Sequence, residues 1–123
     1  MHAVFRGPLT LADAEGLRDH VNEVLRAQGR CYMLVDMAGM TGMEPAARRA
    51  IGDWGRTAEQ QVSGAAMYGT SFAMRVLTTL VLNAIRVLGR RDIVAFFARD
   101  EAEARAWLDR RRRQVARDEA ARG

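Results

Sequence analysis

At 123 residues and 13.7 kDa the chain is one domain in length, long enough to bury roughly two thirds of its extended surface without a disulfide or a metal. Hydrophobic residues at 49% and charged residues at 28% exclude a disordered chain, and the lone Cys31 excludes an internal disulfide and a cysteine zinc site. His2 and His20 are too few for a His-rich metal centre, and the net charge of +4 comes from nineteen arginines with no lysine.

Val4 to Arg6 is short and β-prone, and Gly7-Pro8 ends it. Thr10 is placed to cap a helix with Asp13 and Glu15 in its first turns. Ala14, Leu17, Val21, Val24 and Leu25 form its apolar stripe, and Gly29 stops it. Cys31 to Val35, ending in Asp36, reads as a strand covered on both faces. Ala38-Gly39 and Thr41-Gly42 read as the turn that follows. Pro45, after Glu44, opens a second helix through Ala46, Ala47, Ala50, Ile51 and Trp54, weakened by Gly52 and Gly55.

Val62 to Tyr68 reads as another buried strand closed by Gly69. Thr70 or Ser71 caps a long apolar helix over 72–88, and Gly89 ends it. Ile93 to Phe97 is a further strand. Asp100 caps a last helix, acidic at Glu101 and Glu103 and basic at Arg110 to Arg113, with Ala104, Trp107, Leu108 and Val115 facing inward. Residues 1–117 therefore read as the domain and 118–123 as a polar tail. Strands alternating with helices predict an α/β fold: a small, mostly parallel sheet with βαβ crossovers, about four helices and a short first strand. That weak first strand is either part of a shortened plan or an edge open to another chain.

The run Leu34-Val-Asp-Met-Ala-Gly-Met-Thr-Gly-Met-Glu-Pro-Ala-Ala-Arg-Arg resembles the strand–loop–helix segment of STAS domains. More closely, the order of this run, Ala66-Met-Tyr-Gly-Thr-Ser-Phe and Phe96-Phe-Ala-Arg-Asp-Glu-Ala-Glu-Ala-Arg-Ala-Trp-Leu is similar to the SpoIIAA-like, STAS/SEC14-like proteins, over about Phe5 to Arg113. The resemblance implies ligand or membrane-surface binding, as in some relatives, or protein-partner regulation, as in others. It also implies a further N-terminal strand, so that either the sheet is one strand smaller here or the reading frame is truncated. In regulatory STAS proteins a Ser or Thr opening the helix after the strand is phosphorylated by a partner kinase. Glu44, Pro45 and Ala46 stand there, so that switch is not expected, and Thr41 is the nearest hydroxyl.

A ligand site is expected where the stretches Ala38–Met43 and Tyr68–Ser71 end adjacent strands, since open parallel sheets bind ligands at that edge. Met40, Thr41, Gly42, Met43, Tyr68, Gly69, Thr70 and Ser71 supply close backbone approach, hydroxyls and thioethers there. The plainer reading is that every strand-to-helix turn needs small and capping residues. The helix after Ser71 carries more apolar residues than one stripe, and Phe72, Leu77 and Val81 are its ligand-facing candidates. Core filling competes with that reading, as it does for Met33, Met37, Met67 and Met74.

Arg75, Arg86, Arg90 and Arg91 are the candidate contacts to anionic headgroups. Arg75 and Arg86 leave ten residues between them, short of the ~20 that cross a bilayer. No secretory run opens the chain, so a cytoplasmic protein touching the inner membrane peripherally is expected. No catalytic set, metal spacing or cofactor fingerprint is present, and the arginine run lacks the exposed aromatics that would argue for nucleic acid. The leading expectation is a non-enzymatic module for a lipid or small apolar ligand. The alternative is a protein-interaction regulator of the anti-sigma factor antagonist type, contacting its partner through the Pro45 helix, Thr41, Met40 and Met43.

Overall fold

A computed structural model describes residues 1–58, 62–89 and 93–122. Among them the chain forms β1 (His2–Leu9), α1 (Leu11–Gln28), β2 (Tyr32–Met43), α2 (Pro45–Thr57), β3 (Gly64–Tyr68), α3 (Phe72–Gly89), β4 (Ala95–Ala98) and α4 (Glu101–Arg122). The strands make one parallel sheet in the order β1-β2-β3-β4. β1 reaches beyond Val4–Arg6 at both ends yet stays shorter than β2.

The helix ends follow the local chemistry. Thr10 and Asp13 form a reciprocal capping box, each side chain bonded to the other's backbone N–H at 3.1 Å. Gly29 closes α1 in the left-handed conformation. Pro45 opens α2, the Ser71 hydroxyl accepts from Met74 N–H, and Asp100 accepts from Glu103 N–H at 2.8 Å. The stretch read as a polar tail continues α4, where Glu119 pairs with Arg30.

Each crossover steps to the next strand in the same direction, so crossovers of one hand place α1, α2 and α3 on one face of the sheet. Ala14, Val21, Leu25, Ala47 and Met74 accordingly pack with Met33, Val35, Met37 and Met67. α4 covers the opposite face, where Ala104 and Leu108 meet Leu34, Ala66, Tyr68 and Ala98. β3 lies between these layers and is buried at every position. α2 and α3 approach closely: a β carbon on Gly55 would stand 2.4 Å from Cδ1 of Ile85.

Further boundaries differ from the sequence reading. β3 starts at Gly64, later than Val62, β4 starts later than Ile93, and β2 runs on through Met43 instead of turning after Asp36. Ala38–Met43 is therefore strand, paired with Arg6 to Leu9 of β1, not a loop.

Candidate functional site

The outer half of β2 is irregular in a way that determines what it presents. Its register against β1 shifts between Val4 and Arg6 and again between Gly7 and Pro8, each time absorbing one extra β2 residue. A regular strand alternates faces every residue, so Met37 and Met40 would point oppositely. The two bulges restore the parity, and Met37, Met40 and Met43 all face the α1–α3 layer. Gly39 permits the first bulge, because a β carbon there would lie 3.1 Å from the Phe5 carbonyl oxygen.

Beneath α3 this methionine wall bounds a hollow of about 120 Å³ with no polar surface. Met37, Met40, Met43 and Met67 line it from the sheet, Phe5 and Leu9 from β1, and Val81, Leu82 and Thr78 from α3. Leu17 and Ile51 complete it from α1 and α2. The volume is close to that of the ~150 Å³ apolar cavity that stays dry and admits benzene.

Above the hollow, α3 buries Met74 and Ile85 fully and Leu77 in part. Phe72 is 83% exposed, Leu80 60% and Val87 68%, and Val76 is exposed as well. These four recur at helical spacing on one solvent stripe, with Arg75 and Arg86 along its flank. Arg75 stacks its guanidinium over the Phe97 ring at 5.2 Å, and Arg86 donates to Asn83. Length and a mean hydropathy of 1.5 put α3 within the range of a membrane-crossing helix by composition.

Tyr68 faces the other way. Its hydroxyl donates to Glu101 Oε1 at 3.1 Å and lies 3.0 Å from His2 Nε2, while Glu101 Oε2 accepts from Arg105 at 2.7 Å. Burial, then the Glu101 bond, then the charges of Asp36 and Glu101 push the Tyr68 phenol up to about 12. The Arg105 bond, followed by the Tyr68 bond, holds the Glu101 carboxyl below its usual range. The Cys31 thiol is raised by burial, which keeps it protonated and unreactive.

Of the expected ligand residues, the structure brings Met40, Met43 and Val81 together on the hollow, with Leu77 packed against the same core. It separates the others. Thr41 is exposed and Gly42 lies at the second bulge. Gly69 turns at φ +71° over Ala38, Thr70 donates to the Met37 sulfur, and Ser71 caps α3. Phe72 is in solvent and Tyr68 is on the α4 face. Arg90 and Arg91 lie outside the described residues.

The order β1-β2-β3-β4 has no reversal, hence no crevice of the kind that forms where strand order switches. Met40 is 6% exposed, so of the two methionines named for a protein contact only the half-buried Met43 has surface to offer. Sequence reasoning missed Phe5, Leu9, Leu17, Val35, Ile51, Thr78 and Leu82 as lining residues; the recurrence of methionine at every third position from Met37 to Met43 was the available signal for the wall. At the start of α2, Glu44 makes no side-chain cap bond and no hydroxyl stands among Glu44, Pro45 and Ala46. Within α4, Arg111 donates to the Ser63 carbonyl at 2.8 Å and Arg112 covers the Tyr32 ring, structural roles for half of the arginine run. Among the described residues no three His, Cys, Asp or Glu side chains converge as metal ligands.

A four-stranded parallel sheet with three helices on one face and a fourth across the other defines a STAS-like α/β domain. The chain belongs to the SpoIIAA-like family, whose sequence profile matches residues 1–109. No curated protein shows significant similarity to it. A crystal structure from Shewanella loihica PV-4, of a DUF3478-family protein with a SpoIIAA-like fold, superposes with a TM-score of 0.61 at 20% identity. The match covers 86% of this chain and 81% of that one, and it shows the fold.

Proposed function

We propose that the protein is a non-enzymatic binding module that takes an apolar or amphiphilic, lipid-like ligand at an anionic membrane surface. The observation that carries this reading is α3, which leaves Phe72, Leu80 and Val87 more than half exposed on one stripe beside Arg75 and Arg86. Exposed large apolar side chains on one helix face are costly in water and gain by entering a headgroup–acyl boundary, while adjacent arginines gain from anionic headgroups. Met74, Leu77 and Ile85 anchor the helix in the domain core, which favours lying on the surface over crossing it. The methionine-lined hollow directly beneath supplies an adaptable apolar site for the ligand. Cytoplasmic residence at the inner membrane belongs to the same proposal.

Vesicle co-sedimentation tests it. The protein is expected to pellet with vesicles containing phosphatidylglycerol, more weakly as salt rises, and not with phosphatidylcholine alone. Replacing Val76 and Leu80 together by Asp is expected to abolish pelleting while leaving the unfolding midpoint nearly unchanged, because both are solvent-facing. Wild-type protein that stays in the supernatant with anionic vesicles at low salt refutes the membrane reading.

A further inference from the structure

Thr78 stands apart from everything else around the hollow. It lines the cavity on α3 among thioethers and hydrocarbon, yet its hydroxyl oxygen is buried and has no hydrogen-bond partner among the described residues. A threonine inside a helix ordinarily returns its hydroxyl to the carbonyl four residues earlier, here that of Met74, and this one does not. A buried hydroxyl left unpaired is a standing loss of stability that a valine of the same shape would avoid. Water does not remedy it, because the oxygen has no accessible surface and the hollow beside it has no polar surface to hold a water. Threonine in a helix also has two populated χ1 rotamers, and rotation from one to the other re-aims the hydroxyl, which is the movement by which it would meet an occupant.

We infer that the hollow selects a small apolar molecule or ligand terminus, of about one ring in size, that carries one hydroxyl or carbonyl group to pair with Thr78. The inference rests on the ligand-binding reading above and names the chemistry of that ligand. The ring size follows from the volume of about 120 Å³, and the polar group from the unpaired oxygen on a residue that lines an entirely apolar wall, one χ1 rotation from being re-aimed.

Phenol and toluene are the probes, since they differ by a hydroxyl against a methyl as Thr differs from Val. Dissociation constants for both are measured by chemical-shift titration on the full chain and on Thr78→Val. The expected result is a phenol-over-toluene preference about tenfold larger in the wild type than in the variant. Binding of both probes with the same ratio in both proteins overturns the role of Thr78 and leaves the apolar site standing. Binding of neither probe overturns the hollow as a ligand site and this inference with it. The unliganded proteins provide an independent check: Thr78→Val is expected to melt higher, and a lower melting temperature means that the hydroxyl already has a partner, which also overturns the proposal.

Discussion

A β carbon placed on Gly69 would lie 2.8 Å from that of Ala38, where the turn after β3 crosses the bulged stretch of β2. Gly69 also adopts φ +71°, a conformation that side-chain-bearing residues take at a cost of ~1–2 kcal/mol. Two independent reasons for glycine thus coincide at the point where β3 hands over to α3.

The two reasons are separable by experiment. Gly7 has φ +69° but nothing within 4 Å of an added β carbon. Gly7→Ala is expected to lose about 1–2 kcal/mol, the conformational part, whereas Gly69→Ala adds an overpacking loss of about 1–3 kcal/mol. Urea unfolding at constant slope measures both. Equal losses would show that Ala38 moves aside freely.

The α2–α3 contact makes a second prediction. Ile85 is 1% exposed and cannot swing away from a methyl group added at Gly55. Gly55→Ala is expected to destabilise by about 1–3 kcal/mol. Ile85→Val removes the Cδ1 atom that would stand nearest, so the double substitution should be less destabilised than the two single losses added together. Strict additivity in a thermodynamic cycle would refute the steric account.

Tyr68 predicts an alkaline effect. Its folded phenol titrates at about 12 against an ordinary value of 10.0, so the unfolded chain releases that proton first. The stabilisation tied to the neutral phenol is complete below pH 10 and is lost as pH rises toward 12. Tyrosinate absorbance should show a late-titrating phenol, and Tyr68→Phe should remove it. Persistence of that step in the variant would assign it elsewhere.

Much of the architecture was legible because its signals are local. Thr10 with Asp13, Ser71, Asp100 and Gly29 mark helix ends through side chains that bond their own neighbourhood. The apolar excess of α3 was legible too, since helical spacing leaves too many large side chains for one buried stripe. The continuation of β2 was not. Gly39, Thr41 and Gly42 carry the local chemistry of a turn, and only pairing with β1, about thirty residues away, holds them extended. The facing of Tyr68 was equally hidden, because which side a strand residue takes depends on the register of the whole sheet. The hollow draws on β1, α1, β2, α2, β3 and α3, and no sequence window contains that set.

The one-directional winding of the strands has a consequence for biosynthesis. The ribosome delivers the chain amino end first, and the crossover helices can settle on their side as they emerge. Leu34, Ala66, Tyr68 and Ala98 on the reverse side stay wetted until Ala104 and Leu108 arrive. Nascent intermediates arrested before residue 101 should therefore be sticky and rely on chaperones, and release of the closing helix should be the step that makes them soluble.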